Sequence, residues 1–284
     1  MGNKLEKRAN LERLLRAKRD HELDVSRALA AEQVANSTVN VTDLPEDFQV
    51  IDCACLIHGN AYSWEYVEKL YSMLCRNLTP KVRLHVYTEK EREVPPHMVK
   101  HALEDWPGIA GPRRSWWYKI QMFNSEHHSG PLLYFDLDTV IVGNIDWIWG
   151  LPLKFFYGIK DFRSLWRPTD VGINSSIMWW DTTKFNHVWS DFLGKDRNML
   201  VKQYHGDQDF ISDTITHLNR RFFDPSRIKS WRWQCLDGGY DFKTRRYRQP
   251  MTGTKIDDNL RVLVFHGDPK PLDVTDPVVK HYWT

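Results

Sequence analysis

Two carboxylates, Asp136 and Asp138, follow directly on the apolar run Leu132-Leu-Tyr-Phe135. A run of that kind reads as a strand buried on both faces. In open α/β sheets ligands bind in the crevice beyond the carboxyl ends of the strands, so acids placed there meet a metal or a substrate rather than the core. The plainer reading of an Asp-x-Asp, a turn or helix cap, is outweighed by two further sites downstream. His266 ends a second apolar run, Leu260 to Phe265, and is followed by Gly267 and Lys270. Asp207 and Gln208 open a stretch in which Phe210, Ile211, Ile215 and Leu218 recur at helical spacing. A divalent cation such as Mn2+ or Mg2+ takes hard oxygen ligands, and Mn2+ also accepts an imidazole. If the strands are parallel neighbours, Asp136, Asp138 and His266 converge on one sheet edge and leave coordination positions for a ligand's diphosphate. Gly267 then lets the backbone approach a phosphate, and Lys270 offers it a point charge.

The elements that must hold these residues alternate in type. Phe48 to Ile57 reads as a first strand, followed by the polar loop His58-Gly59-Asn60 and a helix from Ser63 to Asn77. A second strand, Val82 to Thr88, precedes a helix around Pro96 to Glu104, and Trp116 to Phe123 reads as a helix leading into the central strand. Lys154 to Ile159 and Ser176 to Trp180 read as further strands, and residues 206–218 as a helix. Strand, loop, helix and strand in that order imply an α/β fold with a mostly parallel sheet and flanking helices. The loop after the first strand then lies at the same edge as Asp136 and Asp138.

Residues 1–46 read as a charged helix and a linker rich in Asn, Thr, Ser and Asp, with the globular domain over residues 47–284. Between Met1 and Asp20 seven basic residues face three acidic ones, a pattern for a solvated surface helix, a second copy of the chain or an anionic membrane surface. The net charge of +2 does not mark a nucleic-acid binder. No apolar run approaches the roughly 18 residues of a membrane span, and the amino terminus lacks a signal-peptide core, so the expected location is cytoplasmic. Cys53, Cys55, Cys75 and Cys235 are too scattered for a disulfide framework or paired zinc ligands. The 13 Trp exceed ordinary core needs and favour a ligand with rings to stack on.

The segments Phe135-Asp-Leu-Asp-Thr-Val-Ile-Val-Gly-Asn-Ile-Asp146, Asn174-Ser-Ser-Ile-Met-Trp179, Gly206-Asp-Gln-Asp-Phe210 and Phe265-His-Gly-Asp-Pro-Lys-Pro271 occur in this order. Together they resemble the motifs of metal-dependent GT-A glycosyltransferases, most nearly the retaining, family 8-like bacterial sugar transferases, over roughly residues 48 to 275. The resemblance implies a Rossmann-like GT-A domain and a nucleoside-diphosphate-sugar donor, a UDP-sugar by that resemblance, with Mn2+ or Mg2+ held by Asp136, Asp138 and His266. It further implies that Lys270 and Gly267 meet the diphosphate, that His58 and Tyr62 flank the nucleotide, and that Lys119 helps to hold the donor. Asn174, Asp207 and Gln208 would surround the donor sugar, with Asp207 and Gln208 opposite the positive charge that develops on it. One departure stands out: His266 and Lys270 are four apart, where the family's spacing is longer and usually ends in Trp, and here Leu272 follows the proline.

Two other classes remain in view. Asp136-Leu-Asp138-Thr-Val140 also fits the nucleophile signature of haloacid dehalogenase-like phosphatases, although that signature normally ends the first strand of its domain. A protein that binds a nucleotide sugar without turning it over would present the same pocket. For the acceptor, a carbohydrate or glycan is the expectation. Residues 220–248 hold nine basic and three acidic side chains among aromatics, which keeps modified nucleic acid open as an acceptor beside the plainer reading of a cationic surface.

Overall fold

The computed structural model describes residues 50–106, 115–169, 171–236, 240–241, 244, 246–247 and 253–284. The helix and linker expected over residues 1–46 lie outside them. The strands are β1 (Val50–Leu56), β2 (Lys81–Thr88), β3 (Val99–Ala102), β4 (Pro131–Phe135), β5 (Thr139–Ile141) and β6 (Phe156–Lys160). They continue as β7 (Ile173–Asp181), β8 (Arg220–Phe222), β9 (Ile228–Ser230), β10 (Tyr240–Asp241), β11 (Arg246–Tyr247) and β12 (Val262–Val264). The described α-helices longer than one turn are α1 (Glu65–Asn77), α2 (His187–Leu193), α3 (Arg197–Gln203), α4 (Asp207–Thr214) and α5 (Pro277–Tyr282). None is long and apolar enough to cross a membrane.

Seven strands form the main sheet in the order β3-β2-β1-β4-β7-β6-β8. β3, β2, β1 and β4 run parallel to one another and β8 runs parallel to β6, while β7 is antiparallel to both β4 and β6. The sheet is therefore mixed and mostly parallel, as the alternating elements require. β4 is buried on both faces: Leu133 and Phe135 join one apolar cluster, Leu132 and Tyr134 the other. Cys53 and Cys55 pack as small apolar groups beside Leu84 and Val86. On that face α1 buries Val67, Leu70, Met73 and Leu74, one stripe of a 3.6-residue period. The opposite face is roofed by Trp117, Ile120 and Phe123 together with Phe192 of α2 and Phe210 of α4.

Three sequence expectations are corrected. The stretch around Pro96 to Glu104 contains the short edge strand β3, with alternating half-buried and exposed residues, rather than a helix. The segment at Trp116 is a 3-10 helix spanning Ser115–Phe123. β12 does not neighbour β4: it lies in a separate three-stranded sheet, β5-β12-β9, antiparallel to β5 and parallel to β9. The two sheets are stitched where β4 runs into β5, and the Phe265 N–H donates to the Asp138 carbonyl at 3.0 Å.

Close packing reaches the backbone at Gly158 in β6, where a Cβ would stand 2.6 Å from Ile173 Cγ2. Ile173 is fully buried and β-branched, with little room to turn aside. Gly158→Ala should therefore destabilise the protein by about 1–3 kcal/mol, measured by chemical denaturation, and an unchanged midpoint would show that this face repacks freely.

Candidate functional site

A cavity of about 830 Å³ opens beyond the carboxyl ends of β1 and β4. Every residue singled out in the sequence lines it: His58, Tyr62, Lys119, Asp136, Asp138, Asn174, Asp207, Gln208, His266, Gly267 and Lys270. Asp136 follows directly on β4, and Asp138 occupies the turn into β5. The 3-10 helix supplies Lys119, β7 supplies Asn174, and α4 begins at Asp207. The corrected position of β12 changes the route but not the destination, because its end reaches the cavity from the small sheet.

Each wall pairs carboxylates with lysine. Lys119 is almost fully buried, with Nζ 2.7 Å from Asp136 Oδ1 and 3.7 Å from Asp207 Oδ2. Burial opposes its charge, but Asp136 and Asp207 more than offset this and hold its pKa above the ordinary lysine value. The Tyr134 hydroxyl donates to Asp136 at 2.6 Å, and the Ser175 hydroxyl donates to Asp207 at 2.6 Å. Asp207 is not the helix cap: Gly206 holds that position, and the Asp207 carboxylate turns to Ser175 and Lys119. Burial pushes the Asp207 carboxyl up, against the pull of Lys119 and Ser175. On the other wall Lys270 ion-pairs with Asp138, which also accepts from the Tyr62 hydroxyl at 2.9 Å. Burial raises Asp138 too, and Lys270 opposes the rise.

His266 is held between Phe162, stacked at 5.2 Å, and the edge of Trp233. Its Nε2 lies 2.6 Å from Ser230 Oγ, so Nδ1 is left as a ligand atom. Burial, with Arg232 and Lys270 adding to it, lowers its pKa to about 3, and the ring is neutral at physiological pH. Gly267 has a φ of 75°, and Arg232 crowds the space a Cβ would take. Both features demand glycine there. Arg232 also donates to the His266 carbonyl at 2.9 Å, fixing the turn. Gln208 reaches back to Asp161 at 3.4 Å.

Several lining residues had no sequence signal. Tyr134 reads only as a strand position and Ser175 only as a member of the Asn174–Trp179 segment, yet they hold Asp136 and Asp207. Trp116 also lines the cavity, and its indole N–H is buried without a hydrogen-bond partner. Such a donor is satisfied when a ligand or water supplies an acceptor. In the 220–248 segment, three of the cations are engaged away from the cavity: Arg221 lies 3.8 Å over Phe155, Arg227 4.9 Å over Trp147, and Lys229 pairs with Asp257. That part of the segment packs and snorkels.

Among the described residues, one group of three metal-ligating side chains has its ligand atoms within 4.8 Å of one another: Asp52, His85 and His128. Asp136, Asp138 and His266 are more widely spaced than that around the cavity.

No protein-family profile and no curated protein matches the chain. Solved structures do. The galactosyltransferase LgtC, in complex with donor and acceptor sugar analogs, aligns with a TM-score of 0.54 at 14% identity, covering 82% of this chain and 94% of LgtC. The glycosyltransferase GlyE of Streptococcus pneumoniae TIGR4 aligns with a TM-score of 0.56 at 12% identity, covering 82% of this chain and 60% of GlyE. An active-site mutant of LgtC, glutamine to glutamate, aligns equally well, with a TM-score of 0.54. At such identities the shared property is the fold, and the fold of this chain is GT-A-like, that of the glycosyltransferases LgtC and GlyE.

Proposed function

We propose that this protein transfers a sugar from a nucleoside-diphosphate-sugar donor to an acceptor hydroxyl, with a carbohydrate or glycan as acceptor and with retention at the anomeric carbon. The observation that carries the reading is the convergence of Asp136, Asp138, His266 and Lys270 on one cavity of a GT-A-like fold. The donor set fits a hard divalent cation, Mn2+ or Mg2+: two carboxylates and one imidazole kept neutral by burial. Such a cation, when bound, stabilises negative charge on a leaving diphosphate.

The chain's own residues do the rest. Asp136, Asp138 and the free Nδ1 of His266 would hold the cation, releasing Lys270 from Asp138 toward the diphosphate. His58, stacked on Tyr118 at 4.4 Å, and Tyr62 border the nucleotide end of the cavity. Lys119 pairs with Asp136 and Asp207 and opposes the protonation that burial favours at Asp207, so that anionic oxygen faces the sugar as positive charge develops on it. LgtC has an active-site glutamine, and Gln208 is the glutamine that lines this cavity; with Asp207 and Asn174 it surrounds the sugar. The unpaired indole N–H of Trp116 offers the donor a further hydrogen bond.

The phosphatase alternative is disfavoured by topology: Asp136 follows β4, which lies between β1 and β7 and comes after three earlier strands. Calorimetry with a panel of nucleoside diphosphates, with and without Mn2+, tests the binding step, and hydrolysis of a panel of nucleotide sugars tests turnover. Mn2+-dependent binding of a uridine or related diphosphate is expected. If no member of the panel binds, the transferase reading fails.

A further inference from the structure

A second constellation sits on the main sheet, away from the donor cavity. Asp52 is the third residue of β1, His85 the fifth of β2, and His128 precedes β4. None of the three lines the donor cavity. Side chains alternate along a strand, so Asp52 shares its face with Ala54, and His85 shares its face with Tyr87; Ala54 and Tyr87 both belong to the cluster under the 3-10 helix. Two parallel strands and the loop before β4 thus bring a carboxylate and two imidazoles together.

The remaining ring nitrogens distinguish this cluster from an ordinary hydrogen-bonded group. His128 Nε2 lies 3.0 Å from the Pro131 carbonyl oxygen, which can only accept. That nitrogen therefore carries the proton, and Nδ1 of the neutral ring keeps its lone pair. His85 Nε2 faces Asp52 Oδ1 at 2.8 Å, while its Nδ1 faces His101 Nε2 at 2.8 Å. His101 can thus accept from Nδ1 in the tautomer that turns the Nε2 lone pair toward Asp52. Histidines that bind metals characteristically donate their other ring N–H to a carboxylate, a backbone carbonyl or water, as His128 does to the Pro131 carbonyl; His101 takes that part for His85.

We propose that Asp52, His85 and His128 form a second divalent transition-metal site, of the Zn2+ class, with His101 orienting His85. Two imidazoles select a transition metal over Mg2+ or Ca2+. Zn2+ bonds of about 2.0–2.2 Å in a tetrahedron set neighbouring ligand atoms roughly 3.3 Å apart. The Asp52–His85 pair opens from 2.8 Å by about half an ångström to reach that spacing. The hydrogen between them is not lost: neutral His85 carries it on Nδ1, donated to His101. Arg83 grips both Asp52 oxygens, Nε on Oδ1 and Nη2 on Oδ2 at 2.7 Å; a cation on Oδ1 displaces Nε and leaves Arg83 on Oδ2, and because its side chain is 53% exposed, water screens its charge. Water takes the fourth position. A cation there clips the loop before β4 onto β1 and β2, and so steadies the strand that leads into Asp136.

The test uses the full chain carrying Asp138→Asn, which removes a ligand of the donor cavity. Metal-stripped protein is titrated with Zn2+ by calorimetry, and with Co2+ followed by the visible absorption of tetrahedral coordination. One equivalent, a tetrahedral Co2+ spectrum and a Zn2+-dependent rise in the unfolding midpoint are expected. Adding His128→Gln or Asp52→Asn should weaken Zn2+ at least tenfold, and His101→Gln by about 10–100-fold. Circular dichroism identifies any variant that fails to fold, and the other substitutions then carry the comparison. No Zn2+ binding in the Asp138→Asn chain, or binding unchanged in folded His128→Gln and Asp52→Asn variants, overturns the proposal.

Discussion

Asp138→Asn lowers donor turnover by at least about a hundredfold and leaves the fold intact, as does His266→Ala. Asparagine keeps the shape of the buried side chain and its contact with Tyr62, but it removes the charge that would hold a cation and that now binds Lys270. Single groups that neutralise charge developing on a leaving group are worth about a hundredfold or more. Steady-state hydrolysis of the nucleotide sugar with Mn2+ measures the loss, and circular dichroism checks the fold. The two variants together also separate the competing chemistries. In a phosphatase using Asp136 as nucleophile, His266 has no role, so full activity in His266→Ala would remove the cation from this site and most of the transferase reading with it.

Lys119→Met should be the most damaging substitution for stability. It leaves Asp136 and Asp207 without the ammonium that lies 2.7 Å from one and 3.7 Å from the other, and Asp207 and Lys119 are almost wholly buried. Removing one partner of a buried ion pair costs about 3–5 kcal/mol. The pH dependence follows from Asp207, whose pKa burial already raises in the folded protein. With Lys119 gone it rises further, so between the unfolded and folded pKa values the native state binds more protons than the unfolded one. Stability then increases as pH falls through that window. Denaturant midpoints of Lys119→Met should approach wild type on acidification, and a gap that widens instead would mean that Lys119 acts by packing and not by charge.

What could be read from the sequence depended on how local each signal was. β4 and its two aspartates were legible because an apolar run buried on both faces is a contiguous pattern. His266 was found for the same reason, although its strand belongs to another sheet: a strand end is visible in the sequence, whereas its neighbours are not. β3 was misread as a helix because a four-residue edge strand containing Lys100 and His101 is too short and polar to show its alternation. Tyr134 and Ser175 carry no such signal, because nothing in their type separates a residue that packs from one that holds a carboxylate. The Asp52, His85 and His128 group was hidden more deeply, since its members come together only through the register of β1 on β2 and the return of the chain before β4.

Lys270 and its partner Asp138 lie 132 positions apart in the chain. The last wall of the cavity is in place only once β12 has docked between β5 and β9. Contacts of such wide separation close late, because the chain must first lose the entropy of the intervening loop. A molecule emerging amino end first therefore builds β1, β2 and β4 around a cleft that still lacks one side. Refolding followed by circular dichroism should run ahead of refolding followed by ligand capture, and the delay between them times the arrival of β12.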